Sequence, residues 1–367
     1  LVLLSVEFNN TIVPSSFGAW HGHVCGQRVL SVIAGPARTL MPFRRWRATV
    51  SYRILLAARV ALAVLALPTL GARVAQSAEQ SQARSSPLVS TEWLEANLAD
   101  PKLRIVEVSV EPGVYERGHV PGAQNVVWHT DLVETVSRDI AGPEKFAALV
   151  RRLGIDRDTT VVLYGDNNNW FAAWGAWVFA QYGLVDNVKL LDGGRKKWEA
   201  DKRPLETRSP DVAASRFPVT PVSSAQRARL ADVLAVARKE RNEAILDIRS
   251  PDEFSGKVIA PPGIQELAIR AGHIPGSVNV PWAKAVNPDG TIKPVAELKK
   301  LYAEAGIDGS KPVITSCRIG ERSSHSWFVL SRILGYPVRN YDGSWTEYGN
   351  TVGVPVVNLA GTVWTGK

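Results

Sequence analysis

Short apolar runs alternate with stretches of helical spacing along the second half of the chain. Residues 225–238 carry apolar positions at helical intervals, and 244–247 (Ala-Ile-Leu-Asp) and 278–280 (Val-Asn-Val) are brief strand-like runs. Helical spacing returns over 295–305, 313–316 (Val-Ile-Thr-Ser) reads as another strand, and 324–334 reads as another helix. The first half has the same rhythm, with a strand at 161–164, a polar loop Gly-Asp-Asn-Asn-Asn at 165–169 and a helix at 170–182. Apolar runs this short, alternating with helical segments, predict an α/β fold with a mainly parallel sheet flanked by helices. In such sheets ligands bind beyond the carboxyl ends of the strands.

The pattern is written twice. Arg-Gly-His-Val-Pro-Gly at 117–122 returns as Arg-Ala-Gly-His-Ile-Pro-Gly at 270–276, and Leu-Asp-Gly-Gly at 191–194 with Trp198 is echoed by Tyr-Asp-Gly-Ser-Trp at 341–345. Two long similar copies predict a duplicated domain, not a short-period solenoid. Pro210, Pro218 and Pro221 mark 208–223 as the linker, which places the copies at 87–207 and 224–360. A chain of 367 residues is long enough for two such cores.

The formal net charge of +8 raises the question of a nucleic-acid partner, and its distribution answers against one. Residues 1–86 hold nine arginines and two acids, Glu7 and Glu79, so almost all of the excess sits in an N-terminal extension. From Met41 the chain reads Met-Pro-Phe-Arg-Arg-Trp-Arg, then a charge-free run over 60–72, then the small residues Ala75 and Ser77. A basic start, an apolar stretch and a small-residue site predict a secretory signal peptide at 41–77 and a periplasmic or secreted mature protein. A basic tail on a cytoplasmic protein is the alternative. The apolar run is too short for a stable membrane span. Residues 1–40 are expected to be an untranslated or disordered extension.

Only two cysteines occur, and Cys25 lies in that extension. Cys317 is then the lone thiol of the folded part, without an internal disulfide partner. It stands between the strand-like 313–316 and a helix, in the loop Cys-Arg-Ile-Gly-Glu-Arg-Ser at 317–323. Two guanidinium groups and a helix start favour the thiolate, so the loop predicts a cysteine nucleophile acting on an anionic substrate. A small buried core residue is the plainer reading of a free cysteine, and the flanking arginines weigh against it. Aligning strand ends sets Asp166 of the first copy opposite Cys317, in a loop with neither thiol nor arginine. One copy is therefore expected to be catalytic and the other to wall the cleft. His119 and His273 occur in both copies, including the one without a thiol, and read as structural. No metal-ligand cluster or phosphate-binding glycine motif is present in the sequence, so no metal or cofactor is expected.

Taken in order, these features are similar to the tandem-domain rhodaneses, the thiosulfate sulfurtransferases. The resemblance covers about residues 87–360. It rests on the duplicated Gly-His-Val/Ile-Pro-Gly segment, Asp247-Ile248-Arg249 with Glu253-Phe254, the Tyr-Asp-Gly-Ser-Trp segment and the Cys317 loop. It implies that Cys317 takes sulfane sulfur from thiosulfate as a persulfide and passes it to cyanide or a thiol in a ping-pong cycle. It implies substrate contacts from the loop residues Arg318, Ile319, Gly320, Glu321, Arg322 and Ser323, with the two arginines orienting the sulfonate. Glu321 is expected to point outward or to pin an arginine, and Gly320 to permit a tight turn. Asp247 and Arg249 are expected to pair near the loop, with His273 in support. Family members also use a basic residue from the inter-domain region, for which Arg208 is the nearest candidate. The lysine often found two positions after the nucleophile is Ile319 here, which leaves the second cationic contact open. A monomer acting on small molecules is expected.

Three other readings compete. A 3-mercaptopyruvate sulfurtransferase typically carries a small uncharged loop after its cysteine. A rhodanese-fold phosphatase or arsenate reductase uses Cys-x5-Arg, whereas Arg322 follows Cys317 by five positions, which is Cys-x4-Arg. A non-enzymatic binding module would have little reason to keep a cysteine between arginines.

Overall fold

A computed structural model describes residues 86–263 and 268–363. The predicted signal peptide at 41–77, the extension before it and Cys25 lie outside the described residues. Two parallel sheets carry the two copies. The first contains β1 (Leu88–Val89), β2 (Leu103–Glu107), β3 (Ala123–Asn125), β4 (Thr160–Tyr164) and β5 (Val188–Leu191), in the order β1-β5-β4-β2-β3. The second contains β6 (Ala244–Asp247), β7 (Val278–Asn279), β8 (Val313–Ser316) and β9 (Val338–Tyr341), in the order β7-β6-β8-β9. Parallel neighbours need crossovers, and helices supply them on both faces, as the alternating sequence pattern requires.

Helix Trp170–Gln181 of the first copy is apolar on every side and is buried over nearly its whole length. A helix without a polar face must be covered all round. It lies on its own sheet on one side and against helix Glu321–Trp327 of the second copy on the other. The largest core cluster therefore runs through both copies, joining Trp174, Trp177 and Phe179 to Trp327, Phe328 and Cys317. Each sheet keeps a second, separate core on its outer face, around Leu94, Val120 and Trp198 in the first copy and around Ile274, Tyr341 and Trp345 in the second.

Two predicted helices begin elsewhere than expected. The one read over 225–238 is Leu230–Ala237, because residues 226–228 are used as backbone partners of β9. Asn340 N–H donates to the Gln226 carbonyl at 3.0 Å and Ala228 N–H to the Asn340 carbonyl at 3.0 Å. The one read over 324–334 starts three residues early, at Glu321, and widens into a π-helical segment over Phe328–Ile333. Gly320 makes the early start possible. Its φ is +105°, and a Cβ there would lie 2.7 Å from the Asp342 backbone. The segment 208–223 has no regular element and is bonded along the first copy, with Ser215 N–H on the Arg151 carbonyl and Ser223 N–H on the Gln181 carbonyl.

Candidate active site

Cys317 follows β8 at the carboxyl edge of the second sheet and is 1% exposed. Its loop is tied down carbonyl by carbonyl. The Cys317 carbonyl accepts from Trp345 N–H at 3.1 Å and that of Arg318 from Thr346 N–H at 2.9 Å. The Ile319 carbonyl accepts from Arg138 Nη2 at 3.0 Å, and that of Gly320 from the Ser324 hydroxyl at 2.8 Å. Asn340, buried on β9, braces the same corner through Ser323 and Ser324. With its carbonyls held outward, the loop turns N–H groups inward, and Gly320 N–H donates to Cys317 Sγ at 3.1 Å. The Cys317 N–H is held by Ser344 Oγ at 3.0 Å, and the Ser344 hydroxyl donates to the Tyr341 carbonyl at 2.6 Å. That commits the Ser344 proton to Tyr341, so its 3.8 Å approach to Sγ is a contact and not a second donated bond.

Burial by itself pushes the Cys317 thiol up. The Arg322 guanidinium, the Ser323 hydroxyl and the backbone N–H groups of Gly320 and Ser323 together outweigh it, and the thiol sits below its ordinary range. Arg322 is itself held by Glu253 through two bonds, Nη2–Oε1 at 2.9 Å and Nη1–Oε2 at 3.2 Å, under the face of Trp170. Glu253 belongs to a capping box with Ser250 at the start of helix Pro251–Ser255. The arginine read as a substrate contact thus reaches the thiol as half of an ion pair. Arg318 is 4% exposed.

One open choice is decided, for Glu321 meets an arginine, and two expectations need correction. Glu321 does not point outward. It is buried, and its Oε1 lies 3.5 Å from Arg138 Nη2 of the first copy, so the arginine it meets comes from outside the loop. Arg208 does not approach the loop either. It is exposed, and its carbonyl is met by His119 Nε2 at 3.4 Å, beside the outer core of the first sheet and away from the helix that faces the second copy. The inter-domain cation that does reach the loop is Arg138. Finally, the position opposite Cys317 is Gly165, not Asp166. Asp247 pairs with Ser316 and accepts from Val280 N–H, just as Glu107 pairs with Tyr164 and accepts from Val126 N–H. Arg195 N–H then donates to the Gly165 carbonyl as Trp345 N–H does to that of Cys317. A Cβ at Gly165 would lie 2.2 Å from the Val108 carbonyl oxygen, so the first copy has no room for any side chain where the second has its thiol. Gly165→Ala is expected to lower stability by about 3 kcal/mol, read from denaturant unfolding. An unchanged midpoint would contradict this packing.

The remaining predicted residues are structural in their contacts. Arg249 forks onto Asp247, with Nη2–Oδ2 at 2.6 Å, donates to the Gly272 carbonyl at 2.8 Å, and lies over Trp345. His273 Nδ1 meets the Phe254 carbonyl at 2.6 Å and its ring stacks on Phe254. Burial lowers its pKa, against the pull of that carbonyl. His119 makes the matching pair of contacts with Tyr115. Asp166 accepts from the Val110 and Glu111 N–H groups and braces the first-copy loop. Arg138, Asn340 and Ser344 were missed from the sequence. Only Ser344 had a signal there, as the serine that replaces Gly194 in the repeated Asp-Gly-Gly segment.

Comparison with known proteins agrees with this architecture. The model of the rhodanese-like domain matches residues 90–201 and again 230–351. A protein of Mycolicibacterium smegmatis named "Putative thiosulfate sulfurtransferase" is 51% identical over 276 residues, which is 75% of this chain and 98% of that one. The "Sulfur carrier protein TtuD" of Thermus thermophilus is 52% identical over 273 residues, 73% of this chain and 95% of that one. Among solved structures, SseA from Escherichia coli, described among 3-mercaptopyruvate sulfotransferases, superposes with a TM-score of 0.60 at 27% identity, covering 71% of this chain and 99% of that one. By sequence and by fold alike, the chain belongs to the rhodanese-like family and carries two of its domains in tandem.

Proposed function

We propose that this sulfurtransferase-family protein is a thiosulfate sulfurtransferase working through a Cys317 persulfide. The observation that carries the reading is the surrounding of one sulfur atom. Among the described residues, Sγ accepts from backbone N–H and lies in the field of Arg322, an arrangement that suits a thiolate on this sulfur, both at rest and as the group that leaves when a persulfide is attacked. The thiolate attacks the outer sulfur of thiosulfate. The S–S bond of the donor breaks, sulfite leaves with the bonding pair, and Cys317 keeps the transferred sulfur. An acceptor then attacks that sulfur and restores the thiolate, cyanide leaving as thiocyanate or a thiolate leaving as a new persulfide. No proton needs to move in either half, which agrees with His273 and His119 being occupied by backbone carbonyls.

The same persulfide would serve delivery to a protein acceptor, and the name of the Thermus relative favours that as the second reading of the acceptor half. A mercaptopyruvate donor is less well matched to a loop that brings a cation to the thiol. Intact mass tests the proposal. Thiosulfate is expected to add one sulfur atom to the protein and cyanide to remove it. Loading by mercaptopyruvate but not by thiosulfate would replace the donor, and loading by neither would end the proposal.

A further inference from the structure

The first copy touches the Cys317 loop through a hairpin. Val133 and Ile140 bridge, Glu134 N–H donates to the Asp139 carbonyl, and Arg138 N–H donates to the Glu134 carbonyl, both at 2.8 Å. At its tip Arg138 has φ +55°, a conformation that non-glycine residues rarely adopt. The adjacent charges Arg138 and Asp139 both reach the second copy. Asp139 pairs with Arg227 at 2.5 Å, and Arg227 forks onto Asp342 with two bonds of 3.0 Å. Asp342 stands against Gly320, two positions before the Ser344 that holds the Cys317 N–H. Arg138 donates from Nη2 to the Ile319 carbonyl at 3.0 Å and lies 3.5 Å from buried Glu321.

One peptide plane links that contact to the sulfur. The carbonyl of Ile319 and the N–H of Gly320 belong to the same trans peptide, so they point in opposite directions. The carbonyl is drawn to Arg138, and the N–H on its far side donates to Cys317 Sγ at 3.1 Å. A cation on the carbonyl also polarises the peptide and strengthens the bond its N–H gives. We propose that Arg138, on the copy without a thiol, is a positioning residue that aims the Gly320 N–H at the Cys317 sulfur through the Ile319–Gly320 peptide. The thiol-free copy is then part of the catalytic unit and more than a wall. The inference rests on the reading of Cys317 as the sulfur-bearing nucleophile.

A positioning residue and a substrate contact differ in what they change. The Gly320 N–H serves the attacking thiolate in the first half-reaction and the same sulfur as it leaves with the bonding pair in the second, so Arg138→Ala is expected to lower kcat/KM for thiosulfate and for the acceptor by the same factor, about tenfold. Arg138→Lys, which keeps a cation able to donate to one carbonyl, is expected to recover most of that loss. A separate readout is the ultraviolet absorbance of the thiolate against pH, taken as the difference from Cys317→Ser. Arg138→Ala should move this titration to higher pH. Arg322 with Glu253, Asp247 with Arg249, and Asp342 with Arg227 remain paired in that variant. Glu321 loses a cation as well, so the comparison is repeated in Glu321→Gln, where the shift should persist because the peptide is still released.

Loss confined to the thiosulfate half would make Arg138 a substrate contact and overturn the proposal, as would an unmoved thiolate titration in the Glu321→Gln background. If Arg138→Ala does not fold, Arg138→Gln, which keeps a donor but no charge, is measured in the same way. The titration does not depend on turnover. A protein that takes no sulfur from any donor would refute the proposed function and still show whether Arg138 governs the thiolate.

Discussion

Cys317→Ser should abolish sulfur transfer, with turnover falling by about 10⁴-fold or more. A serine hydroxyl is barely ionised at neutral pH and cannot hold sulfane sulfur as a stable, readily attacked anion. The surroundings of Sγ, a donated backbone N–H and a guanidinium field, stabilise an anion, and among the described residues no base is bonded to this position that could make an alkoxide. The substitution is nearly isosteric at a site 1% exposed, so the fold should survive it, with a stability change of about 1 kcal/mol. Cys25→Ser is the control. It removes the other thiol of the chain and should leave turnover and the thiosulfate-induced mass gain intact. Sulfur loading on the Cys317→Ser protein would move the chemistry elsewhere, and retention of even a tenth of the rate would exclude Cys317 as the nucleophile.

What was legible in the sequence was what short-range periodicity and repetition encode. The strand before Cys317, the duplication, and the pairing of Asp247 with Arg249 follow from residues a few positions apart. The errors came where tertiary contacts override local pattern. Residues 226–228 have helix-compatible spacing, yet their backbone is taken by β9, and nothing within the segment announces that partner. Asp166 was one residue out of frame: strands ending at 164 and 316 already set Gly165 opposite Cys317, and the registers Glu107–Tyr164 and Asp247–Ser316 fix that frame. Arg138 precedes Cys317 by far in the chain and sits in a polar stretch of ordinary composition, so its contact with Ile319 is visible only once the copies are packed together. Arg322 stands near the thiol in the sequence, but its partner Glu253 shows there only within the Glu-Phe segment, because an ion pair between the first turns of two helices far apart in the chain leaves no spacing rule.

That pair sets the second large effect. Arg322→Ala should do two separable things. First, burial pushes the Cys317 thiol up and Arg322 is the foremost influence against it, so its loss should raise the thiol pKa. In the proposed reaction the active form is the thiolate, whose population grows as pH rises through that pKa. The acid limb of the pH–rate profile should therefore move to higher pH, with kcat/KM at neutral pH lower by roughly ten- to a hundredfold. Second, Glu253 is 1% exposed and loses the guanidinium that holds it. Breaking a buried pair from one side costs about 3–5 kcal/mol. Burial raises the Glu253 pKa but the bonds from Arg322 and Ser250 more than reverse this, so in the wild type its folded pKa is depressed. Its contribution is present above the unfolded carboxylate pKa and fades as pH falls through the folded value, and the variant should lack this part of the acid sensitivity. Arg322→Ala with Glu253→Gln separates the two effects. Neutralising the carboxylate should restore most of the stability, measured by denaturant unfolding, and leave the rate profile shifted. If the double variant recovered the wild-type acid limb together with its stability, Arg322 would be a structural partner of Glu253 only, and the thiolate would owe its low pKa to the backbone of the loop.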